Sequence, residues 1–279
     1  MKTRLDKALV ERGLVQSRER AQALILAGRV LVAEQKVDKP GAAVAEGAAI
    51  RVIGEDLHYV SRGGLKLERA LEHWKIGLDG CACLDVGAST GGFTDCMLQH
   101  GAASVLAIDT GYGQIAHKLR TDPRVTLMER CNARLLKKGE LSVVGSQLSG
   151  KAKADSSAFD LAAQDRALRN ENSLAGISFL AMDVSFISAT LVLPAVVGAL
   201  LPAGERWRGE AVVLVKPQFE AGREHVGKGG IVREESARRL AIERVRGCVE
   251  EMGGEEIEVI ESPITGAEGN VEYLLHARF

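Results

Sequence analysis

No apolar run in this chain approaches the length a bilayer crossing requires, about 20 consecutive residues. The opening Met1-Lys2-Thr3-Arg4-Leu5-Asp6-Lys7 has no apolar signal core, so no secretion signal is read there. Cysteine is scarce. The five residues Cys81, Cys83, Cys96, Cys131 and Cys248 are odd in number and scattered. Cys81-Ala82-Cys83 is too tight for a usual zinc knuckle, and no second pair completes a site, so no metal is expected. Reduced thiols in a cytoplasmic protein are the favoured reading. Net charge is nearly absent too, at −1. What remains is an ordinary globular composition, 46% apolar and 26% charged over 279 residues. That is enough for one large α/β domain and a smaller one.

The small net charge hides an asymmetry. Residues 1–51 hold ten Lys/Arg against six Asp/Glu, a surplus of +4, while the remaining 26 bases and 31 acids leave −5. A cationic module on a mildly acidic body suggests a polyanionic partner for the module. Chance scatter of surface charge would give the same counts.

The most informative stretch is Leu84-Asp85-Val86-Gly87-Ala88-Ser89-Thr90-Gly91-Gly92-Phe93. An apolar run ends in an acid, turns through small residues and enters a helix-compatible segment, as at the first turn of a nucleotide-binding α/β domain. The glycine spacing matches neither the dinucleotide fingerprint nor the phosphate loop, and no lysine follows the glycines. A ligand with adenosine but no phosphate fits better, and S-adenosyl-L-methionine (SAM) is the obvious one. An NAD dehydrogenase is disfavoured by the same spacing. The plainer alternative is an ordinary strand-to-helix turn, which rarely needs three glycines in six residues.

In the first fifty residues, Leu5, Ala8, Leu9 and Leu14 read as a short amphipathic helix ended by Gly13. Ser17 is a suitable N-cap for a second helix, Arg18 to Ala27, with Gly28 as its left-handed terminator. Val30–Val32 and Ile50–Val52 read as short strands. Ser17-Arg18-Glu19-Arg20-Ala21 through Ala27-Gly28-Arg29-Val30-Leu31-Val32 resembles the S4 RNA-binding domain. The resemblance implies RNA contacts at Arg18, Arg20 and Arg29, with Lys2, Arg4 and Lys7 outside them. Where that family usually has Asn-Gly after the first strand, this chain has Ala33-Glu34-Gln35. A protein-docking module with solvated arginines is the alternative.

From about residue 60 strand-like and helix-like segments alternate, which predicts a parallel sheet with helices on both faces. Strands are expected at 83–86, 105–108, 125–127, 177–182, 211–215 and 273–278. Asp109, at the end of the second strand, suits a ribose diol, or equally a helix N-cap. Asn132 is a candidate for an adenine edge. Lys66, Asp183, Lys216 and Glu272 stand out by type and position; ligands of open parallel sheets lie beyond the carboxyl ends of the strands, so Asp183 and Lys216 are expected to face one crevice. A partly desolvated lysine beside a second cation loses its proton more easily, while flanking carboxylates oppose that loss. Lys216 is therefore a candidate general base toward an attacking hydroxyl. For each of the four alone a salt bridge is the plainer reading; the combination favours chemistry.

The segments Ser61–Leu67, Asp85–Asp95, Asp109–Gly113, Glu129–Arg134, Asp183–Ser188, Lys216–Arg233 and Glu268–Tyr273 resemble the TlyA family, also labelled hemolysin. Those proteins join an S4 domain to an FtsJ-like methyltransferase. The resemblance implies a Rossmann-like, SAM-dependent α/β methyltransferase at 60–279, with a small α+β S4-like domain and linker at 1–59. It implies a Lys-Asp-Lys-Glu tetrad at Lys66, Asp183, Lys216 and Glu272 for ribose 2′-O-methylation. Cofactor contacts are implied at Asp85, Gly87, Gly91, Gly92, Phe93 and Asp109, with Ser89 and Asn132 as further candidates. The implied substrate is ribosomal RNA or a ribosomal subunit, at a cytidine 2′-hydroxyl. The target nucleotide would leave its stack to react. Arg62, Arg223 and Lys228 are further RNA candidates, the last two in a glycine-rich loop, 217–230, read as flexible. Between Lys137 and Gly176 the chain departs from the family with a polar insertion, where Ser157-Ala158-Phe159-Asp160 reads as a capping box. Two other classes stay open. One is an RNA-binding assembly factor with a retired site; the other is a cytolysin, disfavoured by the missing membrane-active stretches.

Overall fold

The computed structural model describes residues 2–15, 17–26, 28–53, 58–141, 176–200, 206–266 and 269–279. The capping box at Ser157 and most of the insertion lie outside the described residues. The chain divides into two compact units, Met1–Leu57 and His58–Phe279.

In the first unit, β1 (Lys2–Arg4), α1 (Leu5–Glu11) and α2 (Arg18–Leu26) are followed by β2 (Val30–Val32), β3 (Gln35–Lys36), β4 (Ala43–Ala45) and β5 (Ile50–Val52). β1 pairs antiparallel with β4, while β2 sits between β3 and β5. Leu5, Leu9, Leu24, Ile25, Val30 and Val44 form its core. Ser17 Oγ accepts from Arg20 N at 3.2 Å, as an N-cap does. The β2–β3 turn is unusual. Val32 pairs with Gln35, so Ala33 and Glu34 alone make the turn, at φ +49° and +62°. Asn-Gly is favoured there because two successive left-handed residues are needed.

The second unit carries a seven-stranded sheet in the order β11-β12-β10-β9-β6-β7-β8. Its strands are β6 (Ala82–Val86), β7 (Ser104–Ile108), β8 (Val125–Met128), β9 (Phe179–Met182), β10 (Glu210–Val215), β11 (Glu255–Glu261) and β12 (Tyr273–Arg278). Strands β6 to β10 pair in parallel. The expectation of a parallel sheet needs one correction: β12 runs antiparallel to both β10 and β11. β11 itself was not expected, because its four glutamates mask the alternation; they suit an edge strand, where charge blunts further pairing.

Side-chain alternation along the strands builds a core on each face. Leu84, Val86, Val213 and Val215 pack with α6 (Ala189–Leu200) and α8 (Glu235–Glu251). Cys83, Val105, Val212 and Leu214 pack with α3 (Gly63–Trp74) and α4 (Gly92–Gln99). Two short helices, α5 (His117–Arg120) and α7 (Pro217–Glu220), lie in the connections. β6 is flanked by β7 and β9, so the winding direction reverses there and opens a crevice beyond the strand ends. Among the described residues no helix is long and apolar enough to cross a membrane.

Candidate active site

The crevice at the switch point is a cavity of about 540 Å³. Its floor is the turn after β6. Gly87 takes φ +87°, and a Cβ there would collide with the Asp183 carbonyl oxygen. Gly92, the first residue of α4, packs against Ser61 and Gly64, where a Cβ would strike the Ser61 hydroxyl. Glycine is required at both because backbone meets backbone.

The four expected catalytic side chains converge on this cavity from four elements. Lys66 comes from the first turn of α3, Asp183 follows β9, Lys216 follows β10, and Glu272 precedes β12. Lys216 Nζ lies 2.5 Å from Asp183 Oδ1 and donates to Ser185 Oγ at 2.7 Å. Lys66 Nζ donates to Glu272 Oε2 at 2.6 Å and stands 3.9 Å from Asp183 Oδ2. Lys66, Lys216 and Glu272 are buried, and Asp183 is partly exposed to the cavity. Two ammoniums and two carboxylates alternate, so the cluster carries no net formal charge, as groups taken out of water require. Because Glu272 enters from the start of an antiparallel strand, it reaches the same end of the sheet as the others.

Among the expected cofactor residues, Gly87, Ser89, Gly92 and Phe93 line the cavity, as does exposed Arg62. Asp109 sits behind Ser89: Oδ2 accepts from Ser89 N at 2.7 Å and Oδ1 from Gly111 N at 2.6 Å. It caps no helix. Gly91 packs against Leu119. Asn132 Oδ1 accepts from Arg134 N at 3.2 Å and caps a 3₁₀ turn, Ala133–Leu135. Asp85 is fully buried beneath α4, where its Oδ2 accepts from Thr94 Oγ1 at 2.6 Å and its Oδ1 has no partner. Burial pushes its carboxyl up to about 7, against the pull of the Thr94 hydroxyl.

The stretch expected as a flexible loop is built of turns. α7 follows Lys216, a 3₁₀ turn covers Arg223–His225, and Asn270 clips the rest. Its Oδ1 accepts from Val232 N at 2.9 Å and its Nδ2 donates to Gly230 O at 2.8 Å. Arg223 and Lys228 are exposed.

In the first unit Lys2 and Lys7 are exposed. Arg4 and Arg18 are half-buried around the fully buried Asp6, at 3.0 and 2.9 Å, with Gln22 Nε2 at 3.1 Å. The Arg4 hydrogen bonds, with those of Gln22 and Arg18, hold the Asp6 carboxyl well below the usual carboxylate range, although its burial works against them. Both arginines therefore brace the fold while half of each remains on the surface. Arg29 Nε donates to Ile53 O at 2.9 Å. Arg20 is partly exposed on α2.

Sequence reasoning passed over Ser185, Phe186 and Phe219. All three line the cavity. Phe186 takes φ +65° and is 92% exposed, with its ring 5.6 Å from that of Phe219. Their positions within the Asp183–Ser188 and Lys216–Arg233 segments were visible; the exposure of Phe186 was not.

Residues 59–279 match the FtsJ-like methyltransferase family, and residues 3–50 match the S4 domain. The 16S/23S rRNA (cytidine-2′-O)-methyltransferase TlyA of Mycobacterium tuberculosis is 38% identical over 99% of this chain and 90% of its own length. Hemolysin A of Brachyspira hyodysenteriae is 37% identical over 98% of each chain. A solved structure from Streptococcus thermophilus, named as a hemolysin, superposes with a TM-score of 0.67 at 38% identity, covering 99% of this chain and 88% of that one.

Proposed function

The chain belongs to the TlyA family of FtsJ-like methyltransferases with an S4 domain, and on that footing we propose that it transfers a methyl group from SAM to a ribose 2′-hydroxyl of ribosomal RNA, at a cytidine. The observation that carries this reading is the placing of Asp183 between Lys66 and Lys216, with Glu272 beyond Lys66, at one end of a cavity whose floor is a glycine turn.

The cavity suits the cofactor. Its volume lies within the range of small-molecule sites. The turn at Gly87 and Gly92 brings backbone where side chains would collide, and no lysine stands where a phosphate loop needs one. Gly87, Ser89, Gly92 and Phe93 would hold it, with Asp109 fixing Ser89 from behind and Asp85 setting the strand end under α4. When bound, SAM supplies an electrophilic methyl group on a sulfonium.

The residues of the chain do the rest. Lys216 Nζ, in the neutral form it takes after giving up its own proton to solvent, accepts the proton of the 2′-hydroxyl as the oxygen attacks. Asp183 and Ser185 fix that amine in place, and Lys66, held by Glu272, balances the Asp183 charge. Phe186 offers an exposed aromatic face at the mouth, on which an unstacked base can rest. The S4-like unit, with Lys2, Lys7, Arg18, Arg20 and Arg29, docks folded RNA through its phosphates. A ribosomal substrate supports a cytoplasmic protein.

The test is transfer of tritium from labelled SAM to ribosomal RNA, followed by mapping of ribose methylation. Label at a cytidine 2′-oxygen is expected. RNA that binds but gains no label would favour an assembly factor instead.

A further inference from the structure

The register between β9 and β10 ends at Met182 opposite Val213. Asp183 and Lys216 both lie past that pair. Asp183 is still tied to β6, its N donating to Val86 O at 2.9 Å, but on the β10 side the continuations of the two strands are joined by side chains. One tie is the catalytic pair itself, Lys216 with Asp183 and Ser185.

The other tie is Glu220. This buried carboxylate closes α7, the turn that begins directly after Lys216. Its Oε2 accepts from Ser188 Oγ at 2.5 Å, and its Oε1 accepts from Ala189 N at 2.7 Å. Ser188 and Ala189 close the segment that starts at Asp183, and Ala189 opens the twelve-residue helix α6. A carboxylate at a helix N-terminus meets unpaired amides and the positive end of the helix dipole. Arg244, from α8, fixes the same turn by donating to the Glu220 carbonyl at 2.6 Å. Isolated in an apolar setting, a carboxylate is costly, so its retention beside the cavity calls for a role.

We infer that Glu220 is a positioning residue for the transfer reaction: by clamping the segment after Lys216 to the segment after Asp183, it sets the distance of the Lys216 amine from the reacting hydroxyl. Glu220 does not touch the cavity. It acts through the backbone between itself and Lys216, and through Ser188 at the end of the segment that follows Asp183. With Glu220 gone, the catalytic pair has to hold the two segments together even while Lys216 is in the neutral form that accepts the proton and holds Asp183 less tightly.

The inference rests on the methyltransferase reading, and the experiment separates the two. Full-length wild type, Glu220→Ala and Glu220→Gln are compared for tritium transfer to ribosomal RNA, for SAM binding by calorimetry and for folded fraction by circular dichroism. An amide spans the same gap, accepting from Ala189 N and donating to Ser188 Oγ. Displacing a catalytic group by about 1 Å costs on the order of 100-fold in rate. The expected result is a loss of that size in kcat for Glu220→Ala, with SAM affinity and folded fraction retained, and recovery of most of it in Glu220→Gln. Three results would overturn it with an active wild type: undiminished kcat in Glu220→Ala, loss of kcat only in step with the folded fraction, or no recovery in Glu220→Gln. An inactive wild type defeats the methyltransferase reading itself, and this inference with it.

Discussion

Gly87 and Asp183 are in backbone contact: a Cβ on the glycine would collide with the carbonyl oxygen of the aspartate. The proposed cofactor turn and the proposed catalytic strand end are thus one packed unit. Gly87→Ala has to bear a left-handed alanine, about 1–2 kcal/mol, and also push Asp183 aside. The melting temperature should fall, and methyl transfer should fall further than the loss of folded protein accounts for. An alanine variant with wild-type turnover would show that the contact is dispensable.

Lys216→Ala removes the amine that touches Asp183 and Ser185. Loss of a general base costs about 100- to 10,000-fold, so turnover should drop by that order while SAM binding stays measurable. Near-normal transfer would refute the assignment.

Phe186 is almost fully exposed and holds up nothing in the core. Phe186→Ala should therefore leave the melting temperature alone and weaken RNA binding by about 1–3 kcal/mol, the worth of one base stacked on an aromatic ring. Competition binding against unlabelled ribosomal RNA reads the difference. An unchanged RNA affinity would remove the ring from the substrate path.

Asp85 yields a pH prediction. Its carboxyl is raised to about 7 by burial, so the folded state binds a proton that the unfolded chain releases near its ordinary value. Stability is then greatest in acid and declines as pH rises through the interval up to about 7, by on the order of a few kcal/mol. Asparagine keeps an acceptor for Thr94 and never ionises. Asp85→Asn should melt well above wild type at pH 8 and by a much smaller margin at pH 5. An equal gap at both values would show that the carboxyl does not titrate there.

The β2–β3 turn sets Ala33 and Glu34 in a conformation that favours Asn-Gly. The double substitution Ala33→Asn, Glu34→Gly should slow hydrogen exchange across Leu31–Lys36, with about 1 kcal/mol of local stabilisation. It also frees Arg51, which Glu34 now holds at 2.6 Å. Faster exchange would mean that the ion pair outweighs the backbone strain.

Much of this was legible in the sequence. Strand ends at Asp109, Asp183 and Lys216 announce themselves as apolar runs closing on a polar residue, and the structure sets them beyond the carboxyl ends of β7, β9 and β10. The pairing of Lys66 with Glu272 joins opposite ends of the second unit; family resemblance grouped the two in one tetrad, and local pattern had no means to pair them. Glu220 was invisible as anything but one more glutamate after a phenylalanine. Its meaning lies in which helix start it faces, a property of packing. Asp85 shows the converse: an acid at a strand end suggested a ligand contact, yet side-chain alternation turns it under α4, with Cys83, into the core. β11 was missed because its acids obscure the period that Ile257 and Val259 keep against the core.

The insertion of β12 between two neighbours has a consequence for how the protein comes into being. A product cut or stalled before residue 272 would own three members of the tetrad and lack the fourth, and β10 would present a bare, apolar rim. Such a fragment would be short of one proposed catalytic side chain and prone to clump, so the proposed chemistry would wait until the last strand is made.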